Sequence, residues 1–359
     1  MKKFLIINPF GIGDVLFTKP VIMALKDSFP GCKVGYWCNE RVSLILKNNP
    51  YIDKIFALSR GDLKKISKES KIDAIKKSWK LLREMRRERY DIALDFSLDH
   101  RYSLLAKLLG IKERFGFDYK GRGIFSTRKI YLEGYSSKHI VEYYLDLLKF
   151  LHIEPKTREM DLFVPESNRA KMRHMLTRYG LKEEDCCVGI FPGAGESWGK
   201  NASLKHWSAL KFAQLADRLT ESFSAKVILM GTDSEIPMAD IIVAAAKNKI
   251  VNLVGKTSID ETAALMSLLD LVITNDGGPL HMAVALKLKT VSIFGPVDDL
   301  VYGPYPPSGD HIVIKRQLDC RPCYMNFRFK GCAFNHACID GITVEEVFQG
   351  ARRLIKNEG

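Results

Sequence analysis

The sequence predicts an α/β protein made of two doubly wound parallel-sheet halves. Three observations carry this. Short apolar runs alternate with helical patterns along the chain. The runs are continuous or nearly so, as in parallel strands covered on both faces. The rhythm then starts again after an interruption near the middle. A chain of 359 residues is also too long for one ordinary core.

In the first half, strands are expected at 4–8, 33–37, 54–58 and 91–96, with helical patterns at about 18–29, 40–48, 71–89 and 99–109. Pro20 is placed in the first turn of its helix, where a missing N–H costs nothing. In the second half, strands are expected at 187–191, 226–230, 250–254, 271–274 and 290–294. Ser258 and Glu261 form a capping box ahead of one intervening helix. The halves meet somewhere in 152–186, where Pro155, Pro165 and the stretch 180–185 break the pattern. The division adopted is 1–165, 166–340 and a terminal amphipathic segment, 341–359, helical over 343–356.

The bulk composition, 46% apolar and 27% charged, is that of a folded globular protein. No apolar run reaches the roughly eighteen residues a membrane-spanning helix needs. The apolar start is too short for a signal peptide and no small-residue cleavage site follows, so residues 4–7 read as a buried strand and a cytoplasmic location is expected. The net charge of +13 is densest where Lys76, Lys77, Lys80, Arg83, Arg86, Arg87 and Arg89 crowd one helix. Nucleic acid, anionic headgroups or an acidic substrate would each suit it, and so would a plain solvated face. No nucleic-acid module is present, which favours a phosphate-rich or membrane-borne partner.

Four turns at expected strand ends could bind ligand. Gly11, Gly13 and Asp14 follow the first strand, although the third glycine of a dinucleotide fingerprint is replaced by Leu16. The glycines let a ligand approach the backbone; Asp14 either enters the crevice or simply caps the next helix. At the matching place in the second half stand Gly193, Ala194 and Gly195, followed by Trp198 and Lys200. Glycine amides and a mobile ammonium suit a diphosphate. Trp207, in phase with Leu204 and Leu210, is expected in the core. Glu235 could accept from ribose hydroxyls or complement a helix dipole. Gly277 and Gly278 open a helix at Pro279 and offer an anion site. Asp276 would repel a phosphate there and is assigned to a sugar hydroxyl or an amide. His281, one turn on, is either a phosphate donor or a structural histidine.

These motifs, in this order and in these halves, resemble glycosyltransferase family 9, the heptosyltransferases of lipopolysaccharide core assembly, over nearly the whole chain. The resemblance implies a GT-B fold, two Rossmann-like domains facing across a cleft, with the last helix packing back on the first. It implies an inverting transfer of heptose from ADP-heptose to an anionic lipid A–core acceptor at the inner leaflet, with no cofactor needed. Asp14 then corresponds to the general base, Lys200 to the diphosphate ligand and Glu235 to the ribose ligand. Asp276, Gly277, Gly278 and His281 complete the donor site. Close relatives often carry Thr or Ser where this chain has Gly277, so one phosphate-directed hydroxyl is lost. Same-fold alternatives are another nucleotide-activated sugar or a protein acceptor, and a different class is a nucleotide-sugar binder without turnover.

Cys320, Cys323, Cys332 and Cys338 lie within nineteen residues of one another. They could ligate structural zinc or iron, or remain four reduced thiols in a loop.

Overall fold

The computed structural model describes residues 1–194 and 199–355, with the side chains of Arg60 and Lys200 outside the description. The chain divides into two compact units, Met1–Met160 and Asp161–Gly359, a few residues ahead of the expected boundary.

The first unit holds a six-stranded parallel sheet: β1 (Lys3–Ile7), β2 (Lys33–Cys38), β3 (Lys54–Ala57), β4 (Ile92–Asp95), β5 (Glu113–Tyr119) and β6 (Arg128–Leu132). Their order is β3-β2-β1-β4-β5-β6. The second unit repeats the plan with β7 (Cys187–Phe191), β8 (Lys226–Leu229), β9 (Val251–Asn252), β10 (Leu271–Asn275), β11 (Lys289–Phe294) and β12 (His311–Lys315), in the order β12-β11-β10-β7-β8-β9. Each is the doubly wound order in which the chain reverses direction beside its first strand. The crevice at that reversal lies between β1 and β4 in one unit and between β7 and β10 in the other.

The central strands are the continuous apolar runs the sequence shows, with all five residues of β7 and of β10 buried. β5, β6 and β12 escape sequence reading. β6 and β12 are edge strands carrying Arg128, Lys129, His311 and Lys315 on half-solvated backbone. β5 is interrupted by Gly116, where a Cβ would come within 3.1 Å of the Asp95 carbonyl oxygen.

Local signals hold well. Pro20 sits in the first turn of the helix Lys19–Ser28. The Ser258 amide donates to Glu261 Oε2 at 2.9 Å, closing the expected capping box. Trp207 is fully buried, edge-on to Phe212, and its indole N–H donates to the Ile342 carbonyl at 3.0 Å. The last helix, Val344–Ile355, buries Val347, Phe348, Ala351 and Leu354 in the core of the second unit. Its apolar stripe is taken up by β10, β11, β12 and the helix Ala209–Phe223. Among the described residues no helix is long and apolar enough to cross a membrane.

Candidate functional site

In the first unit, the turn after β1 is bolted by two buried asparagines. Asn8 donates from Nδ2 to the Asp14 carbonyl at 2.9 Å and accepts from the Phe10 amide at 3.2 Å. Asn39, at the end of β2, donates to the Pro9 carbonyl at 3.0 Å. The short helix Ile12–Leu16 follows, with Gly11 at its N-cap and Asp14 in its first turn. The Gly11 amide donates to Asp14 Oδ2 at 3.3 Å. The carboxylate therefore does cap, as the plainer sequence reading held, and it does so while half-buried at the crevice between β1 and β4. Gly11 keeps the backbone beside it open, since a Cβ there would meet only Asp14 Oδ2, at 3.7 Å, and Gly13 lies within the short helix next to Asp14.

Burial pushes the Asp14 carboxyl up to about 6, against the pull of the Gly11 amide and the Tyr144 hydroxyl. Buried Tyr36, Tyr135 and Tyr144 lie around it. Their own hydroxyls are held well above the usual phenol range, chiefly by burial. A carboxylate poised near 6 is a stronger base than a solvated one, yet largely ionised at neutral pH.

Sequence reading missed Asp95. It ends β4, pairs in register with Ile7 of β1, and accepts from the Ser97 amide at 2.9 Å. Burial raises it to about 7. An acidic residue at the end of a strand flanking the first one was the available signal, but it requires knowing that β4 lies beside β1.

In the second unit, Asn275 ties the ends of β10 and β7 together. Its Nδ2 donates to the Pro192 carbonyl at 2.6 Å, and its Oδ1 accepts from the Trp207 amide at 3.2 Å. This puts Gly277 against the turn after β7, where a Cβ would meet the Ala194 carbonyl oxygen at 2.8 Å. Gly278 begins the helix Gly278–Ala285, whose first amides face this junction. On the other side of the turn, the Glu235 carboxylate fills the notches left by Gly193 and Gly231 and accepts from the Thr232 amide at 2.8 Å. Glu235 thus caps its own turn while lying at the ligand edge of the sheet. The structure brings Gly193, Glu235, Asp276, Gly277, Gly278 and His281 together at the ends of adjacent strands.

Asp276 is buried, and its partner is a lysine: Lys205 Nζ stands 2.6 Å from Oδ2. His281 is also buried, and burial together with the Lys205 charge pushes it down to about 3. It is a neutral imidazole that can donate one hydrogen bond and carries no charge. Gly195 and Trp198 lie outside the described residues, as does the side chain of Lys200. Among the described residues, Lys205 places a cation at this edge.

In the cysteine loop, Cys320, Cys323, Cys332 and Cys338 are free thiols. Among the described residues, no three His, Cys, Asp or Glu side chains converge to hold an ion. The Cys323 thiol donates to the Cys320 carbonyl at 3.1 Å, and Cys332 Sγ accepts from the His336 amide at 3.1 Å. Cys323 and Cys338 are buried while Cys332 is exposed. Burial and the neighbouring thiols raise Cys323 to about 11, which keeps it protonated.

Comparison with known proteins identifies the family. The model of glycosyltransferase family 9 (heptosyltransferase) matches residues 78–331. Lipopolysaccharide heptosyltransferase 3 of Escherichia coli (strain K12) is 28% identical over 297 residues, 82% of either chain. Lipooligosaccharide heptosyltransferase 2 of Campylobacter jejuni subsp. jejuni is 26% identical over 358 residues, 99% of either chain. The crystal structure of the glycosyl transferase family 9 from Veillonella parvula matches with a TM-score of 0.85 at 22% identity, covering 99% of this chain and 98% of that one. The fold is GT-B, with two Rossmann-like units. The protein is a glycosyltransferase, and the chain belongs to glycosyltransferase family 9.

Proposed function

We propose that this enzyme transfers heptose, with inversion, from ADP-heptose to the inner core of lipopolysaccharide, with Asp14 as the general base. The observation that carries the reading is the half-buried Asp14 carboxylate at the β1–β4 crevice, raised to about 6. The lipopolysaccharide and lipooligosaccharide heptosyltransferases similar to this chain support the sugar and the acceptor class.

In the transfer, the acceptor hydroxyl attacks the anomeric carbon, the bond from that carbon to the diphosphate breaks, and ADP departs. The acceptor proton passes to Asp14 late, once the attacking oxygen has become acidic. The leaving diphosphate needs no acid. Amides at Gly277 and Gly278, with Lys205 behind them and Lys200 from the preceding loop, take up its developing charge. Glu235 accepts from the ribose, and neutral His281 donates to an oxygen of the donor. Transfer needs no cofactor, and zinc or iron at Cys320, Cys323, Cys332 and Cys338 is not part of the reaction. The acceptor is anionic and membrane-borne, so the enzyme works at the inner leaflet from the cytoplasmic side, without nucleic acid.

The test is incubation of pure protein with ADP-heptose and a truncated lipid A–core acceptor, with mass spectrometry of the product. A gain of one heptose by the acceptor is expected. Transfer only from UDP- or GDP-sugars, or only onto protein, would replace the reading with one of its same-fold alternatives.

A further inference from the structure

One helix of the first unit is built for a task the active site does not explain. The helix Lys71–Glu88 buries Ala74 and Met85, yet leaves Ile72, Ile75 and Trp79 65%, 60% and 71% exposed. At 100° per residue these three point in nearly the same direction, and half-buried Leu82 continues their stripe. Beside the stripe run Lys76, Lys80 and Arg87, and Arg83 and Arg86 extend it toward the C-terminal end. Over 71–88 there are seven basic residues against three acidic ones, and Glu88 is already paired with Lys54 at 2.9 Å.

The C-terminal half of this helix forms one wall of an open groove of about 990 Å³. Arg83, Arg86, Arg87, Arg89 and Lys112 line it, with Asp91 and Glu113 as its acids. Asp91 is engaged by the Lys3 amide at 2.8 Å. The groove opens where β4 and β5 begin, at the sheet edge opposite the one bearing Asp14 and Asp95. A surface bound there leaves the β1–β4 crevice uncovered.

We infer that the helix Lys71–Glu88 is an in-plane membrane anchor, with Ile72, Ile75 and Trp79 entering the headgroup–acyl boundary and the arginine groove holding phosphate headgroups of anionic lipids. A tryptophan and two isoleucines exposed on a strongly basic helix are the composition of an interfacial segment; a solvated face has no use for them. Arginine in a groove suits phosphate oxygens, which its fork contacts in pairs. The inference rests on and deepens the inner-leaflet reading above, and stands without the donor and base assignments.

The test uses the full chain with vesicles of phosphatidylcholine alone or with about one third phosphatidylglycerol, and reads ADP affinity on the same samples. On anionic vesicles, Trp79 emission should shift to the blue and be quenched by brominated acyl chains. The signal lost in a Trp79→Phe variant is that of Trp79, because Trp37, Trp198 and Trp207 are present in both proteins. Trp79→Ala should weaken vesicle binding about ten-fold, and Arg83→Gln/Arg86→Gln/Arg87→Gln should abolish the preference for anionic vesicles, both with ADP affinity unchanged. Equal binding to both vesicles, no binding, or Trp79-dependent self-association in light scattering with no vesicle binding would overturn the inference. Loss of ADP affinity alone would bear on the donor site instead.

Discussion

Lys205 Nζ lies 2.6 Å from Asp276 Oδ2, with both side chains only 6% exposed. An ion pair this deep is costly to build. Each charge is tolerated there only because the other answers it. A diphosphate arriving at the Gly277 and Gly278 amides would find the ammonium already held in place and dry.

Breaking the pair should therefore do two separable things. Lys205→Met should destabilise the protein by about 3–5 kcal/mol, because Asp276 is left buried and alone. Lys205→Met/Asp276→Leu should regain most of that stability in urea denaturation without regaining ADP binding. A double variant that binds ADP normally would show that Lys205 supports the fold and not the donor.

Lys200→Ala should leave the fold intact and weaken ADP binding, by calorimetric titration, through loss of a charge-assisted contact on the order of 1.5–3 kcal/mol. An unchanged dissociation constant would leave the diphosphate to Lys205 and the glycine amides.

Asp14→Asn should keep donor affinity and lower turnover on the order of 10²-fold or more. In the wild type, turnover should rise with pH through about 6, because the ionised carboxylate is the base. The same shift affects stability. The folded state holds Asp14 above its ordinary 3.8, so its contribution is full below 3.8 and is lost as pH rises through about 6. At neutral pH the Asn variant should therefore be more stable, on the order of 1–2 kcal/mol, while nearly inactive. An active Asp14→Asn enzyme would return Asp14 to the role of helix cap.

His281 has the opposite sign. Its folded value of about 3 lies below the ordinary 6.5, so the unfolded chain binds the extra proton in between and stability falls as pH drops through that window. His281→Gln should remove a loss on the order of 2–4 kcal/mol between pH 6.5 and 3, seen as a flatter dependence of the urea midpoint on pH. Equal slopes in both proteins would mean the imidazole is reached by water.

The two glycines of the donor turns should fail differently. At Gly277 a methyl meets the Ala194 backbone carbonyl at 2.8 Å, so Gly277→Ala should cost on the order of 1–3 kcal/mol and distort the turn. At Gly193 a methyl overlaps the Glu235 carboxylate, which can swing away. Gly193→Ala and Glu235→Ala should then weaken ADP binding alike, and the double variant no more than either. Additive losses would separate Glu235 from the turn it packs against.

The sequence by itself determined the two-fold rhythm, the buried central strands, the helix starts at Pro20 and Ser258, and the turns where Asp14, Glu235 and Asp276 stand. Each is written in local spacing, apolar periodicity or a capping pattern, which short stretches of chain carry unaided. What only the tertiary structure decided depends on which distant segments become neighbours. β4 beside β1 brings Asp95 to the Asp14 crevice, and β10 beside β7 brings Asp276 under Lys205. The edge strands β6 and β12 gain their place from one neighbour each, so their own residues, charged and half-wet, gave little warning. The raised carboxyl of Asp14 has the same origin. Desolvation comes from Tyr36, Tyr135 and Tyr144 closing around it, and no spacing along the chain encodes that enclosure.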